Sequence, residues 1–226
     1  MCGRYGVHKI KKAIEKGLEL AYQFEPNYNA APTQALPIIA DNQPHLIQGF
    51  HWGLIPSWSK DGKLQYSTIN ARSEEIFQKP IYRSVAMKQR CLVLANNFYE
   101  WKKLSPRQKE PYLIAPVDQE LFAFAGVWDE WSDKTTGETK KTFSIITTSP
   151  LPTIASIHDR MPVILLEDHW GQWLQAGLKQ EELQDLMVGY QKEMTFYKVH
   201  PSVGQVANNL PTFIEPYKPG ESFTLF

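Results

Sequence analysis

Between residues 91 and 148 the chain passes through four stretches that leave little choice of secondary structure. Residues 91–101 open with the unbroken apolar run Cys91-Leu92-Val93-Leu94-Ala95 and close by alternating aromatic with charged side chains, Phe98-Tyr99-Glu100-Trp101-Lys102. Residues 111–115, 121–131 and 142–148 follow, rich in β-branched and aromatic side chains, which fit a pleated, half-buried surface. Asp133-Lys134-Thr135-Thr136-Gly137 lies between the last two and has the chemistry of a hairpin loop. Residues 36–40 and 45–52 read as two more strands around the turn Asp41-Asn42-Gln43-Pro44, and residues 195–199 as a late one.

Helical periodicity is confined to the margins. Ile10, Ala13, Ile14, Leu18 and Ala21 predict a helix over 8–22, with Lys9, Lys11, Lys12 and Lys16 on its solvated face. Residues 167–176 and 181–187 predict two short helices. Tyr28-Asn29-Ala30-Ala31-Pro32 reads as a loop, and 68–75 as a loop entering a short helix with Ser73 at its N-cap. Residues 157–166 read as a polar turn feeding an apolar strand, and the proline-rich stretch from 211 to 226 as a surface wrap. The expected architecture is α+β: a single domain over residues 1–226, with a curled, mostly antiparallel, barrel-like sheet and short peripheral helices.

Charge narrows the function. Among 226 residues Lys plus Arg is 24 and Asp plus Glu is 24, so formal net charge is zero. A general polyanion binder is usually basic, so nucleic-acid binding here has to be local and directed at a special structure. The seven tryptophans serve either a core or stacking platforms. Two cysteines, Cys2 and Cys91, make neither a disulfide framework nor a zinc site; no metal and no cofactor is expected. Cys91 sits in an apolar run, as a buried thiol does. With no apolar signal region and no run approaching 18 apolar residues, the expectation is a cytoplasmic protein with no membrane partner.

Cys2 stands out in Met1-Cys2-Gly3-Arg4. One aminopeptidase cut would give it a free α-amine beside its thiol. Such a 1,2-aminothiol condenses with an aldehyde to a Schiff base, on which the thiol closes to a five-membered thiazolidine. An α-amine titrates near pH ~7.7–8.0, so roughly a third is neutral at pH ~7.5. Three further polar groups interrupt apolar surroundings: Asn70 with Arg72, Glu100 between Tyr99 and Trp101, and His158 with Asp159 and Arg160. Each also fits a structural role. Asn70 suits a turn or cap, Glu100 a strand-end carboxylate paired with Lys102 or Lys103, His158 a hydrogen-bonded core histidine, and the arginines salt bridges. Imine chemistry, however, needs these types together. A desolvated carboxylate shuttles protons, a histidine serves a sugar oxygen, an amide holds developing charge and arginines clamp phosphates. Glu100 is accordingly placed beside the Cys2 amine, with His158 on the far side facing the sugar oxygen.

The stretches Met1-Cys2-Gly3-Arg4-Tyr5, Tyr28-Asn29-Ala30-Ala31-Pro32, Trp52-Gly53-Leu54-Ile55-Pro56, Ile69-Asn70-Ala71-Arg72-Ser73-Glu74, Phe98-Tyr99-Glu100-Trp101-Lys102 and Ile157-His158-Asp159-Arg160-Met161-Pro162 resemble, in order, those of the SRAP family, the SOS-response-associated peptidases. The resemblance implies removal of Met1 by the protein itself. It further implies a covalent thiazolidine link from Cys2 to the ring-opened abasic sugar in single-stranded DNA, made by a monomer associated with the nucleoid in a bacterium. By motif match Cys2 is the nucleophile and Asn70, Glu100 and His158 its partners. Arg4, Arg72 and Arg160 hold DNA phosphates, Thr147 lines the pocket, and Pro32 and Trp58 wedge against bases. Some members carry two adjacent tryptophans where this chain has Trp58-Ser59, which bears on the second stacking contact. Two other classes compete: a cysteine peptidase acting on other proteins, with His158 as base, and a non-catalytic reader of modified or single-stranded DNA.

Overall fold

A computed structural model describes residues 2–63, 66–188 and 190–218. In chain order, β1 (Tyr5–Val7) leads into α1 (Lys11–Glu15) and β2 (Glu19–Leu20). Then come β3 (Asn27–Ala30), β4 (Ala35–Ala40), β5 (Leu46–Trp52), β6 (Asn70–Arg72), α2 (Arg83–Lys88), β7 (Arg90–Ala95), β8 (Asn97–Ser105) and β9 (Gln108–Pro116). The rest carries β10 (Phe122–Ser132), β11 (Thr139–Thr148), β12 (Met161–Pro162), β13 (Ile164–Leu165), α3 (Trp170–Leu174), α4 (Gln180–Leu186) and β14 (Met194–Lys198).

Strands β11, β10, β7, β4 and β5 neighbour one another antiparallel, and β5 returns to β11 through the parallel pairs Thr142↔His51 and Phe143↔Trp52. That last contact closes five strands into a barrel. A second sheet, in the order β14-β9-β8-β1-β3, stands beside it. The result is the α+β architecture with a curled, mostly antiparallel sheet. Because the barrel wall is covered on both faces, β10 is buried without a break from Phe122 to Asp129. Gly126 belongs in that wall. A Cβ there would meet Cys91 Sγ at 2.8 Å, Val93 Cγ2 at 2.9 Å and the Ser144 carbonyl at 3.2 Å.

The long strand expected over 91–101 is in fact two strands in different sheets. Asn96 breaks it: its Oδ1 accepts the N–H groups of His8 and Lys9, and its Nδ2 donates to the carbonyls of Lys9 and Glu120. Ala95 still pairs with Phe122 of the barrel, while Asn97 pairs with Gly6 of the second sheet. The seam between the sheets therefore falls just before Glu100. Tyr5 stitches it from the other side. Its backbone pairs with Phe98, and its ring meets Trp52 at 5.2 Å and Phe124 at 5.7 Å inside the barrel.

Other expectations shift for local reasons. The helix predicted over 8–22 stops at Glu15, because Gly17 turns left-handed (φ +87°). The Gly17 and Leu18 N–H groups then close onto the Ile14 and Ala13 carbonyls as a Schellman cap. The expected loop at 28–32 begins inside β3, antiparallel to β1. Ser73 caps no helix. Residues 70–72 pair in parallel with β11, and the Ser73 N–H continues that ladder to the Thr147 carbonyl. The strand expected within 157–166 is cut into β12 and β13 at Val163, whose backbone bonds Ile146 and Ala125. The helix expected over 167–176 is shortened to α3, and the one expected over 181–187 forms at full length as α4, one residue earlier. Buried Arg90 ties the ends of α2 and α3 to the barrel, donating to the carbonyls of Ala86, Met87, Trp173 and Gln175. Of the proposed surface wrap, residues 219–226 lie outside the described residues. Before them Phe213 is buried against Tyr99, Leu113, Val199 and Val203. Among the described residues no helix is long and apolar enough to cross a membrane.

Candidate active site

The ladder of β1 on β8 runs on toward the N-terminus, the Tyr99 N–H donating to the Arg4 carbonyl at 3.0 Å. That register carries Gly3 and Cys2 alongside the first half of β8, where Glu100 lies. Cys2 is fully buried. Its Sγ faces the Arg4 carbonyl at 3.7 Å, and its own carbonyl accepts Asn70 Nδ2 at 2.7 Å. Asn70 is itself pinned from two sides. Its strand pairs with Ile145 of β11, and the Tyr82 hydroxyl donates to its carbonyl at 3.1 Å.

Glu100 is 3% exposed. Burial pushes its carboxyl up to about 7, and Asp159 adds in the same direction. His158 Nε2 stands 3.7 Å from Glu100 Oε2. Its Nδ1 lies 3.0 Å from Asp159 Oδ1 and accepts the Arg160 N–H at 3.1 Å. Desolvation holds this imidazole below the ordinary histidine range, so the neutral form prevails at pH 7. The expected placement of Glu100 and His158 on opposite sides of Cys2 is thus not what forms: the two are neighbours. Burial, reinforced by the Glu100 charge, drives the Cys2 thiol far above its ordinary value, which keeps it S–H.

Arg160 closes the far wall. Its guanidinium binds both Glu74 oxygens, at 2.7 and 2.9 Å, and donates to the Thr147 carbonyl at 2.6 Å; that pairing holds the Glu74 carboxyl below the usual range. Thr147 is buried, its hydroxyl 3.4 Å from the Ala71 carbonyl. Arg72, opposite Thr147 in register, is half exposed and 3.5 Å from Glu75, which Lys79 also engages.

Sequence reasoning placed Arg4, Arg160 and Pro32 against DNA, yet all three are occupied or covered. Arg4 is buried, donating to Asn29 Oδ1 at 3.2 Å and to the Val203 carbonyl at 3.3 Å. That makes it an anchor of the N-terminal strand. Arg160 is neutralised by Glu74, and Pro32 is buried. Trp58, by contrast, is 67% exposed on the loop after β5. It lines a groove of about 380 Å³ with Lys60, Trp131 and Lys134. Glu74 was read only as a first-turn acid, and Asp159 only as a neighbour of His158. Nothing in the local spacing announces the Glu74–Arg160 pairing, which joins residues 86 apart in the chain.

The SOS response associated peptidase (SRAP) family profile matches residues 1–206, and the chain belongs to that family. Abasic site processing protein YoqW of Bacillus subtilis (strain 168) is 40% identical over 225 residues, covering 96% of this chain and all of the relative. Abasic site processing protein HMCES of Xenopus tropicalis is 31% identical over 220 residues, covering 84% of this chain and 65% of the relative. A crystal structure of a Bacteroides thetaiotaomicron protein has the same fold, with a TM-score of 0.88 at 31% identity over 96% of this chain and all of that one.

Proposed function

We propose that this chain processes abasic sites, joining Cys2 through its amine and thiol to the ring-opened sugar of an abasic site in single-stranded DNA after it has removed Met1. The observation that carries this reading is the second residue of the chain, buried with its carbonyl on Asn70 beside the Glu100–His158 pair. An aminothiol at a new N-terminus needs just such a setting. Asn70 fixes the Cys2 backbone, so amine and thiol keep one orientation. The amine adds to the aldehyde carbon. Glu100, whose carboxyl titrates near neutrality, takes the N–H proton and returns it to the departing hydroxyl, and water leaves. The thiol then adds to the C=N carbon while its proton passes to nitrogen. His158 serves the sugar ring oxygen during opening. The same carboxylate assists hydrolysis of the Met1–Cys2 bond.

A peptidase acting on other proteins fits less well, because it needs a thiolate and this thiol is driven the other way. A non-catalytic reader has no use for a buried carboxylic acid titrating near neutrality. The test is a denaturing gel after incubation with a single-stranded oligonucleotide carrying one abasic site. The native chain gives a shift that survives heat and detergent, and Cys2→Ser loses it, since a Schiff base without thiol closure hydrolyses. A heat-stable adduct from Cys2→Ser without reductant, or none from the native chain, would sink the proposal.

A further inference from the structure

A buried guanidinium needs an anion, because an unpaired charge is costly to take out of water. The Arg160 side chain is 13% exposed. Its Nε is buried with no partner among the described residues, so the group is held through its two Nη atoms. They donate to both Glu74 oxygens, at 2.7 and 2.9 Å, and to the Thr147 carbonyl. Two oxygens on two parallel N–H groups is also how a phosphate binds arginine. Glu74 thus sits where a phosphate would. Its pairing holds the carboxyl below the usual range, so it is charged near neutral pH. Its own side chain is half exposed, and exchanging such a partly solvated carboxylate for another anion costs little. The next residue makes the contrast. Glu75 divides itself between Arg72 and Lys79, which leaves the half-exposed Arg72 open to a second anion. The Arg160–Glu74 pair also stands at the reacting centre. The Arg160 N–H is on His158 Nδ1, and Glu74 follows the strand whose Asn70 holds the Cys2 carbonyl.

We infer that Glu74 competes with DNA phosphate for the Arg160 guanidinium and so determines specificity, by weakening the hold on undamaged strand. This inference rests on the proposed function. An abasic strand is retained by a covalent bond, which needs no strong ionic grip. An undamaged strand is retained by phosphate contacts, each adding affinity whatever the base. A strand that would use Arg160 must first displace a carboxylate tethered beside it, which acts at high effective concentration. The weakened contact shortens the residence of undamaged DNA. The zero net charge of the chain acts in the same direction.

Undamaged single-stranded oligonucleotide is the probe, followed by fluorescence anisotropy across a salt series. Glu74→Gln keeps one acceptor for Arg160 and removes the competing charge. It is expected to bind about fivefold tighter near ~0.1 M salt, with a salt slope steeper by about one. Arg160→Gln keeps a donor for the Thr147 carbonyl, and the double variant should bind no tighter than Arg160→Gln alone. Unchanged binding by Glu74→Gln overturns the inference. So does a gain of the same size in the Arg160→Gln background, since that reports the loss of a negative charge and nothing more. If Arg160→Gln does not fold, the Arg160 Nε–H resonance of the Glu74→Gln protein decides. It shifts on adding the oligonucleotide if the guanidinium takes a phosphate, and stays put if it does not. Crosslinking to an abasic oligonucleotide reads the consequence. Excess undamaged strand should slow Glu74→Gln more than the native chain, and equal slowing overturns the role in specificity. A native chain that forms no crosslink defeats the proposed function, while the anisotropy series still decides the competition.

Discussion

A carboxylic acid sealed as Glu100 is works against the fold whenever it ionises. Its folded value is about 7 against an ordinary 4.5, with burial as the main cause. Between those two values the unfolded chain has lost the proton and the folded chain still holds it. Stability therefore falls as pH rises from about 4.5 to about 7 and is level above that. The interval corresponds to roughly 3 kcal/mol as an upper figure. Glu100→Gln, which keeps the shape without the charge, should unfold at higher urea than the native chain at pH 8, and the gap should close at pH 4. The same variant should crosslink slowly. A pH-independent gap in urea midpoint would mean that Glu100 ionises in the folded state no less readily than in the unfolded one.

At the scale of elements, the site depends on two interruptions and one close approach. Asn96 divides the 91–101 run between sheets, and β6 borrows the edge of β11, so Asn70 and Glu100 arrive at Cys2 from different sheets. The close approach is Gly126, where β10 passes β7 with no room for a methyl group. Gly126→Ala should destabilise by about 1–3 kcal/mol through overpacking, read as a lower thermal midpoint. Adding Cys91→Ala removes the contact at 2.8 Å and should return part of that loss. If the double variant is no better than the single one, the strain lies with Val93 and the Ser144 carbonyl instead.

For the whole molecule the governing quantity is charge. A net charge of zero gives no long-range pull on a polyanion, so on the proposed function affinity for DNA comes from a few local cations and depends weakly on salt. Arg72 is half exposed and loosely paired, whereas Arg160 is already satisfied by Glu74. Arg72→Ala should therefore lower the salt slope of single-strand binding by about one. Arg160→Ala should change that slope less, while slowing crosslinking through the 158–160 turn. Fluorescence anisotropy across a salt series measures both, and equal slopes for the two variants would contradict the assignment.

What the sequence determined by itself was local or compositional. Strand-forming runs at 111–115, 121–131 and 142–148, a barrel-like α+β architecture, a buried Cys91 and the types of Cys2, Asn70, Glu100 and His158 follow from side-chain shape, period and chemistry. Their neighbours do not. Whether an arginine holds DNA or holds a carboxylate depends on what a distant strand brings beside it. Nothing within reach of Arg4 or Arg160 in the chain announces Asn29, Val203 or Glu74. In the same way Asn96 looks like any polar residue in a strand until the N-terminal segment and Glu120 arrive to use its amide. Tertiary structure alone decided the break at the seam, the burial of Pro32 and the contact of His158 with Glu100, because each is a pairing between segments that sequence separates and only the closed barrel brings together.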